Sequence, residues 1–414
     1  MNQPIPNQPF IAIACGGTGG HLFPGLAVAE ELKQRGCAVA LLISPKDVDQ
    51  QAVKSASGME ILTLPAVGLQ NRNYFSFARS FWRSWRTARK FFKSRPPQAV
   101  LAMGGFTSAP PVLAAKKFGA RTFLHESNTI PGRANRFLAR FVDVAFVGFP
   151  EAAGRLGTRK TIVTGTPVRP QFQPRDAAAC RMALGLEPDR PVILMVGGSQ
   201  GASGLNRMIL SALPLLTGKN WQWLHLTGAA DFEKVKTAYA ARGLKAVVKP
   251  FLLEMDLALG AATACVSRSG ASSLAEIAAM RLPSLLVPFP AAADNHQFSN
   301  AMAFAPAGAA CMIEEKNARP ETVAALISGL VEDSALREKM QAALAQWHAP
   351  RSAAQIAEAV FKIAVEPGQS ARFSVPIAGK TDGSNRPTTG PARVFGAWLL
   401  LSLLSLSAGA SGWL

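Results

Sequence analysis

Acidic residues are scarce in this chain. The 26 Asp and Glu stand against 44 Lys and Arg, a formal net charge of +18 over 414 residues. The shortage is uneven: residues 1–165 carry 21 Lys/Arg against 8 Asp/Glu, which leaves the remainder only mildly basic. Charge scattered for solubility would not concentrate this way, so the first half implies an anionic partner such as phosphate, nucleic acid or acidic lipid. Cysteines are also few. Cys15, Cys37, Cys180, Cys265 and Cys311 are odd in number and lie far apart, none at metal-ligand spacing. This excludes a disulfide framework and a zinc module, and reads as reduced thiols in a cytosolic setting. The opening residues MNQPIPNQPF have neither a basic n-region nor an apolar h-region, so no signal peptide is expected. No Gly-Lys-Ser/Thr follows any glycine-rich loop, which excludes a P-loop NTPase.

What is present is apolar residue in quantity. Hydrophobic residues make up 49% of the chain and charged ones 17%, enough for large cores and too apolar for disorder. The length suits two domains. Phe10–Cys15 is an apolar run that ends in Gly16-Gly17-Thr18-Gly19-Gly20-His21; a helical pattern with Pro24 near its start follows, then Gly36 and the apolar run Ala38–Ile43. Strand, glycine turn, helix and strand make a βαβ unit. Ala99–Met103, Arg121–His125, Ala145–Val147 and Thr161–Val163 read as further strands. The pattern restarts at Pro191–Val196, with Trp221–Leu226, Ala246–Val248, Ala264–Ser267 and Ser284–Val287 as its strands and a helix from about Ser272 to Met280. The expected fold is therefore α/β: two doubly wound parallel sheets covered on both faces, joined near Thr166-Pro167-Val168-Arg169-Pro170.

The glycine loops carry the chemistry. GGTGGH departs from a dinucleotide fingerprint, because Leu22 stands where the third glycine belongs and Ser44, Pro45 and Lys46, with no acid, follow the second strand. Four glycines in five residues still favour a ligand over a bare turn, since backbone N–H groups and a helix N-terminus then meet a phosphate. Gly197-Gly198-Ser199-Gln200-Gly201 is a second such loop. In Arg268-Ser269-Gly270-Ala271-Ser272-Ser273-Leu274-Ala275-Glu276, the small residues suit close approach to a helix start. Glu276 suits a ribose diol, or else favourable charge near a helix N-terminus. The polar run from Asp294 to Asn300 either reads sugar hydroxyls or caps a helix.

GGTGGHLFPGLAVAEEL, MGGFTSAP, HESNTIPGRAN, GTPVR, GGSQGA, RSGASSLAEIA and DNHQFSNA occur in one order over roughly residues 8–365. Together they resemble the MurG family, the N-acetylglucosaminyltransferases of glycosyltransferase family 28. The resemblance implies the two-domain GT-B fold, UDP-N-acetylglucosamine (UDP-GlcNAc) as donor, and undecaprenyl-pyrophosphoryl-MurNAc-pentapeptide (lipid I) as acceptor. It implies transfer with inversion to the muramyl C4 hydroxyl in peptidoglycan synthesis, no cofactor and no bound metal. It places the protein peripherally on the cytoplasmic face of the bacterial inner membrane, with other cell-wall synthesis proteins as candidate partners. Carried over by motif, Thr18, Gly19 and Gly20 face the reacting groups and Asn128 and Arg169 contact the donor. Ser199 binds a donor phosphate, and Leu252 presents its backbone to uracil. Ala271, Ser272, Ser273, Leu274, Ala275 and Glu276 line the diphosphate and ribose, and Gln297 holds sugar hydroxyls. The family usually has HEQN and GNPVR where this chain has Ser127 and Thr166, and often Thr or Leu where Ser272 and Ser273 stand. The acceptor hydroxyl must lose a proton as it attacks, and a base with a pKa near neutrality suits that step. His21 is the expected base, its alternative being a loop-capping histidine; Glu126 is the reserve.

From residue 72 to 95 there is no acid at all. Arg79, Arg83, Arg86, Lys90 and Lys93 form one helical stripe, and Phe77, Phe81, Trp85, Ala88 and Phe92 form another about 200° away. This is the pattern of a helix on an anionic lipid surface, or of a core helix with a solvated basic face, and both hold if part of the aromatic stripe packs inward. Tyr74, Phe75, Trp82, Arg83, Arg86 and Lys90 are the expected membrane contacts. No RNA-recognition signature or repeat code supports nucleic acid as the partner. The expected organisation is an acceptor- and membrane-facing domain (1–165), a donor domain (166–345), a helical segment (346–365), a Gly/Pro/Ser/Thr linker (366–393) and an uncharged tail (394–414) that either anchors in the bilayer or is an unstructured appendage. The rival readings are a diacylglycerol-type lipid glycosyltransferase and a catalytically silent UDP-sugar or lipid-binding protein.

Overall fold

The computed structural model describes residues 8–46, 49–50, 53, 58–66, 73–158, 160–198 and 201–365. The linker, the apolar tail and Ser199 lie outside the described residues. A seven-stranded sheet fills the first half: β1 (Phe10–Ala14), β2 (Ala38–Ile43), β3 (Glu60–Thr63), β4 (Ala99–Ala102), β5 (Arg121–Glu126), β6 (Val144–Val147) and β7 (Thr161–Val163). Their spatial order is β3-β2-β1-β4-β5-β6-β7 and every pairing is parallel. The second half holds β8 (Val192–Val196), β9 (Gln222–Leu226), β10 (Ala246–Lys249), β11 (Ala264–Ser267), β12 (Ser284–Leu286) and β13 (Cys311–Met312). Their order is β10-β9-β8-β11-β12-β13, again parallel throughout. Both are doubly wound sheets, with the order reversing beside β1 and beside β8. Ligands of such sheets bind at that switch point, beyond the strands' C-terminal ends.

The central strands are apolar on both faces because helices cover both. Phe10 to Ala14 and Val192 to Val196 are buried without exception. Two elements escaped the sequence reading. β3 is an exposed edge strand and lacks the apolar run of its neighbours, and β13 has only two residues. The helix Ser352–Val365 returns to the first half. Its Ile356, Ala357, Ala359 and Val360 join the core beside the helix Gly19–Gln34 and strands β4 and β5, and Ser352 donates its hydroxyl to the Gly165 carbonyl at 3.0 Å. The halves are also pinned by rings: Phe149 packs on Phe304 and Trp347, which stack 4.4 Å apart.

The helix Tyr74–Ser94 settles one choice left open by the sequence. Phe92 and Ala88 are buried, and Phe81, Trp85 and Phe91 pack partly buried against the same core. That aromatic stripe is thus the helix's inward face. The apolar side chains left outside are Phe75, 82% exposed, and Trp82, 54% exposed. They share the outer surface with the basic stripe: Arg86 lies over the Trp82 ring at 5.4 Å, and Arg79, Trp82, Arg83, Arg86, Thr87 and Lys90 line a shallow groove of about 420 Å³. Among the described residues no helix is long and apolar enough to cross a membrane.

Candidate functional site

The first loop leaves β1 at Ala14 and starts the helix Gly19–Gln34. A Cβ on Gly16 would lie 2.3 Å from the Ser44 nitrogen, so only glycine lets the loop pass this close to the end of β2. The backbone of Gly17 is gripped on both sides. Gly17 N–H donates to Asp49 Oδ2 at 2.7 Å, and Lys46 Nζ donates to the Gly17 carbonyl at 2.8 Å. Asp49 Oδ2 also accepts from the backbone and hydroxyl of Ser44. The acid missing from the end of β2 is therefore present a few residues later, the second acid of Asp47-Val48-Asp49, and it serves the loop.

His21 sits in the first turn of that helix. Its ring lies against Gly104 and Gly105, which follow β4. A Cβ on either would come within 2.9 and 3.0 Å of the imidazole, and both have positive φ (106° and 78°). The MGGF motif is thus the space in which the imidazole rests. Burial holds His21 below the usual imidazole range, while the Glu126 carboxylate, the Met103 backbone and Asp49 oppose that shift and His296 adds to it. Nδ1 is enclosed, with no hydrogen bond of good geometry.

Glu126, at the end of β5, is 1% exposed, and both its oxygens are occupied. Oε1 accepts from the backbone and side-chain nitrogens of Asn128 at 2.8 and 3.0 Å; Oε2 accepts from Gly132 N–H at 2.9 Å and from Asn135 Nδ2 at 2.7 Å. It organises the loop that carries Asn128. Its neighbour His125 pairs Nε2 with the Gly165 carbonyl at 3.0 Å, and burial lowers its pKa to about 4. A carbonyl can only accept, so Nε2 carries the proton and Nδ1 is left to accept from the Ser127 hydroxyl at 3.3 Å. The serine that departs from HEQN thus completes the hydrogen bonding of a buried neutral histidine.

Two hydrogen-bonded bridges bring the halves' loops together. Pro24 has no N–H, which releases the Gly20 carbonyl four residues earlier from the helical ladder. That carbonyl accepts the Ser272 hydroxyl at 2.9 Å, across 252 residues of sequence. The start of the helix Ala271–Met280 is so fixed against the start of Gly19–Gln34. The second bridge is Asn300, on the helix His296–Phe304 and fully buried. Its Oδ1 accepts from Thr129 N–H and Oγ1, each at 3.0 Å; its Nδ2 donates to Asn128 Oδ1 at 3.0 Å and to the Ser269 carbonyl at 3.1 Å. One carboxamide thereby registers the Asn128 loop against the second half. Each bond contributes on the order of 1 kcal/mol, and truncation would leave several buried groups unpaired.

At the join between the halves, Arg169 lies between the rings of Phe23 (4.3 Å) and Phe172 (5.0 Å). Its Nε is buried without a partner. Burial depresses its pKa, with Glu276 as the largest opposing charge. Glu276, on the second turn of Ala271–Met280, is pushed up to about 7 by burial, and Arg169 acts against that. Ser272, Ser273 and Ala275 are half-buried, while Ala271 and Leu274 belong to the core. Leu252 also puts its side chain into that core. Gln297 Oε1 accepts from Phe289 N–H at 3.0 Å, and Gln297's carbonyl accepts the Ser269 hydroxyl at 2.7 Å. The structure thus links expected site residues of the two halves: Gly20 bonds Ser272, Asn128 reaches Ser269 through Asn300, Ser269 bonds Gln297, and Glu276 is the largest opposing charge to Arg169. Tyr74, Phe75, Trp82, Arg83, Arg86 and Lys90 lie apart, on the outer helix. The sequence reading gave Asp49 and Asn135 no role, quoted Gly104 and Gly105 only within a motif, and took Asn300 only as the end of a polar run. Their signals were a stray Asp-x-Asp, a double glycine after a strand, and asparagines within quoted motifs.

Comparison with known proteins follows the same division. The glycosyltransferase family 28 N-terminal domain matches residues 11–147 and its C-terminal domain matches residues 192–358. The chain is 37% identical over 392 residues to the UDP-N-acetylglucosamine–N-acetylmuramyl-(pentapeptide) pyrophosphoryl-undecaprenol N-acetylglucosamine transferase of Anaeromyxobacter sp. (strain Fw109-5), covering 92% of this chain and 98% of that one. The protein of the same name from Listeria monocytogenes is 32% identical over 359 residues, covering 85% and 99%. Among solved structures, MurG of Acinetobacter baumannii superposes with a TM-score of 0.67 at 28% identity, over 86% of this chain and 99% of that one. The calicheamicin glycosyltransferase CalG4, at 18% identity and a TM-score of 0.60, shares the fold.

Proposed function

The chain belongs to glycosyltransferase family 28, in its MurG branch, and from that membership we propose that it moves N-acetylglucosamine from UDP-GlcNAc onto the muramyl C4 hydroxyl of undecaprenyl-pyrophosphoryl-MurNAc-pentapeptide. The observation that carries this reading is the meeting of a neutral, enclosed His21 with the start of the Ala271–Met280 helix through Ser272 and Gly20. Base and donor-binding helix are then within one cleft.

The acceptor oxygen attacks the anomeric carbon, the bond from that carbon to the UDP oxygen breaks, and the acceptor proton passes to His21. Nδ1 is enclosed, so Nε2 is the nitrogen that takes it. Glu126 has both oxygens committed to four N–H donors, which favours His21 for that role; its carboxylate and that of Asp49 stabilise the imidazolium as it forms. UDP leaves with two negative charges. Arg169, the loop amides beside Ser199 and the N-terminus of Ala271–Met280 offset them without a bound metal. Glu276 binds the ribose diol, Leu252's main chain meets the uracil, and Asn128 and Gln297 hold sugar hydroxyls.

The outer helix Tyr74–Ser94 rests on anionic lipid at the cytoplasmic face of the inner membrane, with Phe75 and Trp82 in the headgroup layer and Arg83, Arg86 and Lys90 on its phosphates. This holds the first half beside the acceptor's lipid carrier. The test is transfer of radiolabelled GlcNAc from UDP-GlcNAc to a short-chain lipid I analogue with EDTA present. Transfer is expected. Its absence in folded protein would move the assignment to another lipid glycosyltransferase or to a binding protein.

A further inference from the structure

We propose that Arg133 and Arg136 form a subsite for a carboxylate of the acceptor's peptide, a subsite that Asp294 occupies until the acceptor arrives. The proposal rests on the transfer reading above and names a part of its substrate that the reading leaves unplaced. A peptide bound to the muramyl group through its N-terminus keeps at least its C-terminal carboxylate free.

The geometry is that of a carboxylate receptor with a resident carboxylate. Both arginines stand on the first turns of the helix Arg133–Leu138 in the first half. Each takes a different oxygen of one carboxylate from the second half: Arg133 Nη2 to Asp294 Oδ1 at 3.4 Å, and Arg136 Nη2 to Asp294 Oδ2 at 2.7 Å. Planar guanidinium groups suit this paired contact. Arg133 and Arg136 keep 63% and 40% of their side-chain surface exposed. An exposed contact of this kind is weak and exchanges readily with a competing anion.

Its place is beside the reacting groups. The helix of the two arginines is preceded by Gly132, whose N–H is held by Glu126 at the end of β5, two residues before Asn128. Asp294 stands two residues before His296 and three before Gln297. Asp294 and Asn295 both have left-handed backbones, φ 50° and 52°, which only a few non-glycine residue types tolerate. The turn therefore aims Asp294 back across the cleft to the arginines. An acceptor carboxylate that takes its place frees this turn at the head of the helix bearing Gln297.

Opposite signs separate this role from a purely structural clasp. Two acceptors are compared: a short-chain muramyl-pentapeptide pyrophosphate and the same molecule with every peptide carboxyl converted to a carboxamide. The quantity read is the ratio of their KM values in R133Q/R136Q and in Asp294→Asn. The double variant should lower the wild-type preference for the carboxylate acceptor about fivefold. Asp294→Asn, which removes the competing anion, should raise it. An unchanged ratio in the double variant, or shifts of the same sign in both, would overturn the proposal. So would equal losses with both acceptors, which would assign the arginines to the pyrophosphate. Wild-type protein that transfers to neither acceptor would instead overturn the transfer reading itself.

Discussion

The two halves of this protein repeat one strand order and yet carry different chemistry. In the first, the loops beyond β1, β2, β4 and β5 hold a neutral histidine between glycines and two buried carboxylates, Asp49 and Glu126, that grip backbone N–H groups. In the second, the segments beyond β11 and β12 hold hydroxyls, small residues at a helix start, and two carboxyls: Asp294, paired with Arg133 and Arg136, and Glu276, whose pKa burial raises to about 7. The outer surfaces differ as well. The first half presents Phe75 and Trp82 among arginines. A doubly wound sheet supplies a crevice, and the residues placed at its rim decide what happens there. On this account the first half does the proton chemistry and docking, and the second half holds the donor.

That division can be broken at its outer edge first. Replacing Arg83, Arg86 and Lys90 together by Gln should weaken co-sedimentation with anionic vesicles about a hundredfold, given roughly 1 kcal/mol for each basic residue near such a surface. Transfer to a water-soluble acceptor should keep its rate, and unchanged sedimentation would remove the membrane face. A smaller effect tests the donor side. Glu276→Gln should raise the UDP-GlcNAc KM about tenfold, in line with losing charge-assisted hydrogen bonds. The sign with pH follows from the raised pKa. The carboxylate form grows as pH rises through about 7, so the wild-type donor KM should increase as pH falls below 7. The variant should lose that dependence. A wild-type donor KM flat from pH 8 to 6 would contradict the ribose role.

The sheets were legible in the sequence because their central strands are continuous apolar runs closed by glycine loops, and the strand ends read there fall within a residue of those in the structure. The edges were not. Glu60–Thr63 faces solvent and Cys311–Met312 is too short to leave a pattern. The helix Tyr74–Ser94 was legible as amphipathic, but two aromatic faces compete in its sequence. Packing gives the division the sequence reading expected only in part: Phe81, Trp85 and Phe92 turn inward while Trp82 does not. In the cleft, glycine loops announced themselves by composition. Pairings across long sequence separation did not: Asn300 meets Asn128 and Thr129, Ser272 meets Gly20, and Asp49 meets Gly17. Of these, the Gly20 bridge left a readable trace, because Pro24 four residues on must free a carbonyl.

The most direct test of the division between the halves is His21→Ala, read for donor binding and turnover in the same preparation. The account predicts a UDP-GlcNAc dissociation constant within about twofold of wild type and a kcat lower by about a hundredfold or more, the usual scale for losing a general base. A parallel loss of donor binding, or a kcat close to wild type, would contradict it.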